Sequence, residues 1–398
     1  MLSIQATNLL SPYHVIYCRF FTAFKLALIL LMFPYPTQSL AKTCADITVD
    51  ETTRPLKVLY FYPQGAQGSF WHLQKSFTEH VAEGLGIDIE TIPIQQQYHN
   101  RFSFLELINE KLTTATPPDY IVGIFYSNGE ESLLELIEAH NIPYFSINTS
   151  LEKRGYATIG MPREQYSAWI GHMTPDDEQA GQELATLLAA QRSVSSIVAI
   201  SGAHQSTVSR TRLTGYNRAM QRMRKESQRE RTPKGIEWLP TMNSDWSANS
   251  AAKLTQALLD RVGRVDAYWT AGMDIAEGVL AIARQQDPPY QPVIGTFDWS
   301  HAALNAVRDG QVLVSFGGHF MEGGWTMALL LDHANGIDFK QELGVQISTR
   351  LQPVTKNNVQ TISALLNKET WQSVNFRRYS KCYTPDLDEY DFRLVLQN

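Results

Sequence analysis

Cysteine is scarce in this chain: three in 398 residues, Cys18, Cys44 and Cys382. That excludes a small disulfide-dense fold and a cysteine-rich zinc centre. Positive charge is in deficit, with 34 Lys and Arg against 40 Asp and Glu and a net charge of −6. A nucleic-acid partner needs a basic face, so that class of function falls away. No run reaches the ~20 apolar residues that a membrane-spanning helix requires. The segment Gly202-Ala-His-Gln-Ser-Thr207 offers neither a nucleophile elbow nor a phosphate-binding loop. There is no solenoid repeat and no low-complexity tract.

The chain is too long for one ordinary core and predicts two domains. Its start reads as a signal peptide over 1–41. Arg19 and Lys25 precede the apolar run 26–33, Pro34 and Pro36 break that run, and Ser39-Leu-Ala41 offers small residues two apart. No acidic residue occurs before Asp46. Cleavage after Ala41 would leave 357 residues, and losing the two basic residues would take the net charge to −8. Export to the periplasm is expected, with no membrane-embedded segment afterwards. An oxidising compartment allows Cys44 and Cys382 to pair, and a disulfide between them is expected. Lys42 and Thr43 before Cys44 are not the small apolar pair of a lipoprotein signal.

Beyond residue 41 short apolar runs alternate with amphipathic ones, the pattern of βαβ units. Strands are predicted over 56–62, 87–94, 120–125 and 143–147, with helices over 70–81, 104–112 and 133–139. Residues 149–168 read as irregular, and Trp169-Ile170 as a crossing into a second domain. Thr174-Pro-Asp-Asp177 reads as a helix start, with Thr174 as the cap and Pro175 in the first turn. Strands over 196–200, 236–239, 266–270, 292–297 and 312–316 then alternate with helices over 208–223, 251–259, 275–283 and 302–307. A helix over 325–333 and extended segments over 345–351 and 354–355 follow, then a short helix at 364–366 and a Tyr-rich tail. The expected fold is α/β: two doubly wound parallel-sheet lobes, 42–168 and 169–343, joined by a multi-strand hinge, with 344–398 as hinge return and tail. The basic stretch 221–231 reads as a solvated helix end.

Two strand ends in the second half each deliver a carboxylate, Asp274 and Asp298, to the carboxyl edge of a sheet, where open α/β sheets bind ligands. Five motifs stand out along the chain: Ser209-Arg-Thr-Arg-Leu-Thr-Gly215, Asp245-Trp246, Asp274-Ile-Ala-Glu-Gly278, Val293-Ile-Gly-Thr-Phe-Asp298 followed by Asp309-Gly310, and Pro353-Val-Thr-Lys-Asn-Asn-Val359. Together they resemble the type I periplasmic sugar-binding proteins, the ribose and galactose class. Tyr62-Pro63, Phe70-Trp71, Asn148, Arg210, Asp274 and Phe376-Arg-Arg-Tyr-Ser380 are similar to the related autoinducer-2-binding receptors. The chain departs from the sugar binders at Gly272-Met273, where they carry Asn-Asp, and at Gly318. The resemblance implies a hinged periplasmic binding protein of type I that closes on a sugar and presents it to a membrane partner.

A sugar offers hydroxyls around an apolar ring face and calls for flat aromatics and bidentate charged groups. Phe70 and Trp71 open the first helix after a glycine-rich loop, and Trp71 is assigned to ring stacking, with a core tryptophan as the alternative. Asn148 ends the fourth strand and can both donate and accept, or serve as a turn residue. Arg210 can fork onto two hydroxyl oxygens, whereas Arg212 reads as structural. Trp246 would flank the ring from the second lobe. Asp274 is either a ligand contact or a helix N-cap. Asp298, between Phe297 and Trp299, is the first-ranked ligand carboxylate. His319 and Glu322 share an i, i+3 spacing, but a metal site needs a third ligand, so no metal is expected and His319 is read as a hydroxyl contact beside Gly318.

The sequence therefore predicts a non-enzymatic solute-binding protein for a small sugar or polyol, without a cofactor. An ABC-transporter permease is the expected partner. The alternatives are the sensing component of a membrane kinase, in complex with its ectodomain, and a periplasmic glycoside hydrolase using Asp274 and Asp298.

Overall fold

The computed structural model describes residues 54–95, 100–113, 116–230 and 235–394. The expected signal peptide and Cys44 lie outside the described residues. Strand β1 (Lys57–Pro63), helix α1 (Phe70–Leu85), β2 (Asp88–Ile94), α2 (Arg101–Leu112), β3 (Tyr120–Gly123), α3 (Glu130–His140) and β4 (Tyr144–Ile147) follow the expected alternation. A short helix, α4 (Lys153–Ile159), interrupts the stretch expected to be irregular.

The next strand, β5 (Trp169–Pro175), corrects two expectations. Trp169-Ile170 does not carry the chain into the second lobe, because β5 pairs in parallel with β4 in the first sheet. Pro175 is not a helical residue; it ends β5, opposite Thr349. The helix cap falls on Asp176, which accepts from the Gln179 amide at 3.0 Å. Asp177 and Glu178 then sit on the positive end of α5 (Asp177–Ala189).

The second unit runs β6 (Ser196–Ser201), α6 (Thr207–Glu230), β7 (Glu237–Trp238), β8 (Met242–Asn243), α7 (Ala248–Val262), β9 (Ala267–Thr270), α8 (Met273–Gln285), β10 (Val293–Phe297), α9 (His301–Arg308) and β11 (Val314–Gly317). A 3-10 turn over His319–Met321 leads into α10 (Glu322–Ala334) and α11 (Lys340–Leu343). The two segments expected to be extended correspond to β12 (Gln346–Thr349) and β13 (Gln352–Val354), the second beginning two residues earlier than expected. Helices α12 (Val359–Ala364) and α13 (Lys368–Gln372) stand where one short helix was expected.

Two sheets result. The first has the order β12-β5-β4-β3-β1-β2 and is parallel throughout. The second has the order β13-β11-β10-β9-β6-β7, with β8 also on β6, and only β13 runs antiparallel. This is the expected α/β architecture of two doubly wound sheets. Parallel strands are covered on both faces, which is why β3, β4 and β9 are buried end to end and carry apolar runs. Three crossings join the sheets: β5 to α5, β11 to α10, and β12 to β13.

Helix α10 packs on α1 of the first unit. A Cβ on Gly323 would lie 2.2 Å from Thr78 Oγ1, and one on Gly324 2.5 Å from Phe77, so only glycine permits this approach. After crossing to β13 and α12 on the second unit, the chain returns to that side as α13. Phe77 meets Trp371 and Phe376 edge-on at 5.2 and 5.8 Å. Asp332, fully buried, accepts from Ser380 Oγ, the Lys381 and Cys382 amides and Tyr390 Oη at 2.5–2.9 Å. A buried carboxylate with four donors is fully solvated by protein and fixes the tail. Among the described residues no helix is long and apolar enough to cross a membrane.

Candidate functional site

Loops at the carboxyl ends of both sheets line a cleft of about 960 Å³ that is open to solvent on one side. Of the residues singled out from the sequence, Phe70, Trp71, Asn148, Trp246, Asp274, Asp298 and His319 line it; Arg210 does not.

From the first unit, Ser69 caps α1 and places Phe70 and Trp71 in its first turn, their rings 5.0 Å apart and edge to face. Phe70 stacks on the His319 ring at 4.4 Å. Asn148 follows β4, is buried, and adopts the left-handed backbone at φ 63° while its amide donates to the Met173 carbonyl. That geometry suits asparagine better than most residues.

From the second unit come Trp246 and Asp298, with φ of 75° and 82°. A left-handed tryptophan is an outlier and needs a surrounding that over-determines it. Here the indole lies flat against Gly202, where a Cβ would come within 2.1 Å of the ring. Ser244 Oγ accepts from the Trp246 amide at 3.2 Å. The Asp298 backbone is pinned on both sides: its amide donates to the Phe316 carbonyl at 2.7 Å, and its carbonyl accepts from Ser315 Oγ at 2.6 Å. The Asp298 carboxylate lies 3.5 Å from His319 Nε2. Burial and the Asp274 carboxylate push its pKa up to about 6, against the pull of Arg212.

Asp274 is not an N-cap. Gly272 occupies that position without a side-chain bond, and Asp274 sits within the first turn of α8, reached by solvent. Its acidity is weakened by partial desolvation. Near the helix N-terminus it adds negative charge beside Asp298.

The arginine of the site is Arg212, which the sequence reading left as structural. It is 3% exposed. Its Nε donates to Asp177 Oδ1 at 2.7 Å, one terminal nitrogen donates to the Ala271 carbonyl at 2.6 Å, and the other lies 3.4 Å from His319 Nε2. The guanidinium stacks 4.3 Å over Phe297. Arg210 points elsewhere: it bonds the His204 carbonyl at 2.6 Å and forms an ion pair with Glu152 at the start of α4. The reason is helical phase. Ser209, Arg212, Tyr216 and Ala219 form the buried stripe of α6, at i, i+3, i+7 and i+10, and Arg210 falls outside it. That stripe was available in the sequence as a signal.

His319 is buried between Arg212, Asp298 and Phe70; its Nε2 lies near both charged groups, while its buried Nδ1 has no hydrogen-bond partner. Burial and Arg212 hold its pKa well below the ordinary value, and it is neutral. Glu322, which opens α10, accepts from Thr349 Oγ1 at the third crossing, and burial drives its pKa well up. The lips of the cleft touch twice, through Arg210 and Glu152 and through Ser127 Oγ and the Gln205 carbonyl.

Two doubly wound sheets, three crossings and a cleft between their carboxyl edges define a type I periplasmic binding protein fold. The chain belongs to the periplasmic binding protein family, whose domain model matches residues 59–338. Among solved structures, it is similar to a periplasmic sugar-binding protein from Pseudomonas fluorescens, at 23% identity and TM-score 0.70 over 85% of this chain and 98% of that one. A solute-binding protein of an ABC transporter from Actinobacillus succinogenes, with D-allose bound, matches at 15% identity and TM-score 0.62 over 77% and 100%. One from Bacillus halodurans, with myo-inositol bound, matches at 16% and 0.60 over 79% and 99%. No curated protein matches the chain in sequence.

Proposed function

We propose that the protein is a periplasmic solute-binding protein that holds a small sugar or polyol in the cleft and presents it to a transporter permease. One observation carries this reading most directly: Asn148, Trp246 and Asp298 all line one cleft, and all three sit in the left-handed backbone region. For the tryptophan this costs on the order of 1–3 kcal/mol, the asparagine and aspartate bear it more easily, and such backbone gathers at ligand sites. The side chains so presented are an amide, a flat indole and a carboxylate, the set that hydroxyls on a carbon ring require. The sugars and polyol held by the structural neighbours support the ligand class.

In this reading Trp71 and Trp246 take the ring faces, Asp298, Asp274 and Asn148 take hydroxyls, and Phe70 and His319 form the floor. Arg212 steadies His319 and attracts the Asp298 carboxylate through its charge. The two sheets with their helices act as lobes that close about the three crossings, and closure creates a surface that a permease reads by differential affinity. The protein binds without turnover. Residues 1–41 are removed on export, and Cys44 pairs with Cys382, which is fully buried at the foot of the tail.

The test is a melting-shift screen of monosaccharides and polyols on the full exported chain. A stabilisation that grows with the logarithm of ligand concentration, with the sugar recovered intact, supports the proposal. No shift with any of them refutes it.

A further inference from the structure

We propose that the ligand is a disaccharide: the cleft takes a second sugar ring beyond the one gripped by Asp298 and Trp246. This rests on the sugar-binding reading above.

The first argument is space. The cleft measures about 960 Å³ with its lips already touching through Arg210 and Glu152, so further closure at that edge is small. Even at the ~30 Å³ that each heavy atom commands in liquid water, the twelve heavy atoms of a hexose fill only about 360 Å³. Two linked rings fill roughly twice that. A monosaccharide would leave more than half of that space to water, part of it at the open mouth, whereas binding sites surround most of a small ligand's surface.

The second argument is the placing of aromatics. The first ring has Trp71 and Trp246. Two more aromatic side chains line the same cleft from different loops, Phe102 at the start of α2 and Tyr126 after β3. Tyr126 is braced edge-on by buried Phe104 at 5.0 Å. Phe102 carries Arg101 on one face at 4.7 Å, and Arg101 is itself fixed to the Asn128 carbonyl at 3.2 Å. Phe102 is nevertheless 65% exposed. A platform held from behind and wet in front suits a ring that stacks on it.

The third argument is backbone conformation. Asn128 beside this platform also lines the cleft and also sits in the left-handed region, at φ 62°. Left-handed positions thus line this cleft in loops of both units, Asn128 beside the Phe102 platform among them.

Calorimetric titration of the full exported chain with hexoses, pentoses, their disaccharides and aryl glycosides tests this. At least one disaccharide is expected to bind about tenfold or more tighter than either component sugar. Phe102→Ala should bring that ratio toward one; Phe102 is exposed, so its truncation does not threaten the fold. Asp298→Asn should weaken both ligand types. If a monosaccharide binds as tightly as every disaccharide and Phe102→Ala changes nothing, the second ring is refuted while the sugar reading stands. An aryl glycoside tighter than every disaccharide refutes it in favour of an aromatic aglycone. If no carbohydrate binds the unaltered chain, the sugar reading itself has failed.

Discussion

Arg212 donates through Nε to Asp177 at 2.7 Å, and both side chains are buried. The pair ties α6 of the second unit to the first residue after the β5 crossing. Arg212 also reaches His319 Nε2 at 3.4 Å and acts on the Asp298 carboxylate through its charge.

The two arginines of one helix should therefore behave oppositely. Arg212→Ala leaves Asp177 buried and uncompensated, and breaking such a pair costs about 3–5 kcal/mol. Arg210→Ala removes a half-exposed ion pair with Glu152, for which about 0–1 kcal/mol is expected. Chemical denaturation of both variants checks this. Arg210→Ala should also leave ligand in the cleft with a faster release, since it loosens only the lip. Equal losses of stability in the two variants would contradict the geometry.

Asp298→Asn isolates the carboxylate from its backbone. Asparagine tolerates the left-handed conformation that Asp298 adopts, so the strand end is kept and only the charge is lost. Hydrogen bonds to charged groups contribute about 1.5–3 kcal/mol, so sugar affinity should fall by roughly one to two orders of magnitude. Titration calorimetry reads it directly. The glycosidase alternative is tested on the unaltered protein, where incubation with glycosides should release no product. Release that disappears in Asp298→Asn would convert the reading to an enzyme.

The same carboxylate gives a pH signature. Its folded-state pKa, about 6, lies above the ordinary 3.8. As pH rises, the unfolded chain loses this proton near 4 and the folded chain only near 6, so ionisation opposes folding of the empty protein. Its stability should fall across that window and level off above it, and Asp298→Asn should flatten that segment. Ligand hydroxyls donate to the ionised form and favour it. Affinity should therefore weaken as pH drops below 6, by at most about tenfold per unit, with little change in the Asn variant. An affinity flat from pH 5 to 7.5 in the unaltered protein would remove Asp298 from the ligand.

Much of this was legible in sequence because its cause is local. Parallel strands buried on both faces announce themselves as apolar runs, and the residue that follows each one is delivered to the sheet edge. That is how Asn148 and Asp298 stand out, and why Trp246 and Asp274 fall in the same cleft. What failed to show is set by distant contacts. Nothing within Trp169–Pro175 says which sheet it joins; pairing with β4 and β12 decides it. The attachment of α10 to α1 rests on Thr78 and Phe77, some 245 positions away from their glycine partners. The exchange of Arg210 for Arg212 was a matter of helical phase, and the buried stripe of α6 would have resolved it. Phe102 and Tyr126 carried no motif at all.

The tail supplies the last prediction. Asp332 gathers four donors from Ser380, Lys381, Cys382 and Tyr390 in a fully buried position. Asp332→Ala strips the acceptor from all of them and leaves buried amides unpaired, each at about 1–3 kcal/mol. The tail should then detach from α1 and α10 and become open to protease after Gln372, while the cleft at the far end of the strands keeps its ligand. The expected Cys44–Cys382 bond would hold the loosened tail near the start of the chain, so its full release should require reductant as well. Limited proteolysis with and without reductant, followed by mass measurement, separates the two attachments. A tail that stays resistant in reduced Asp332→Ala would show that the aromatic contacts of Phe77 with Trp371 and Phe376 suffice to hold it.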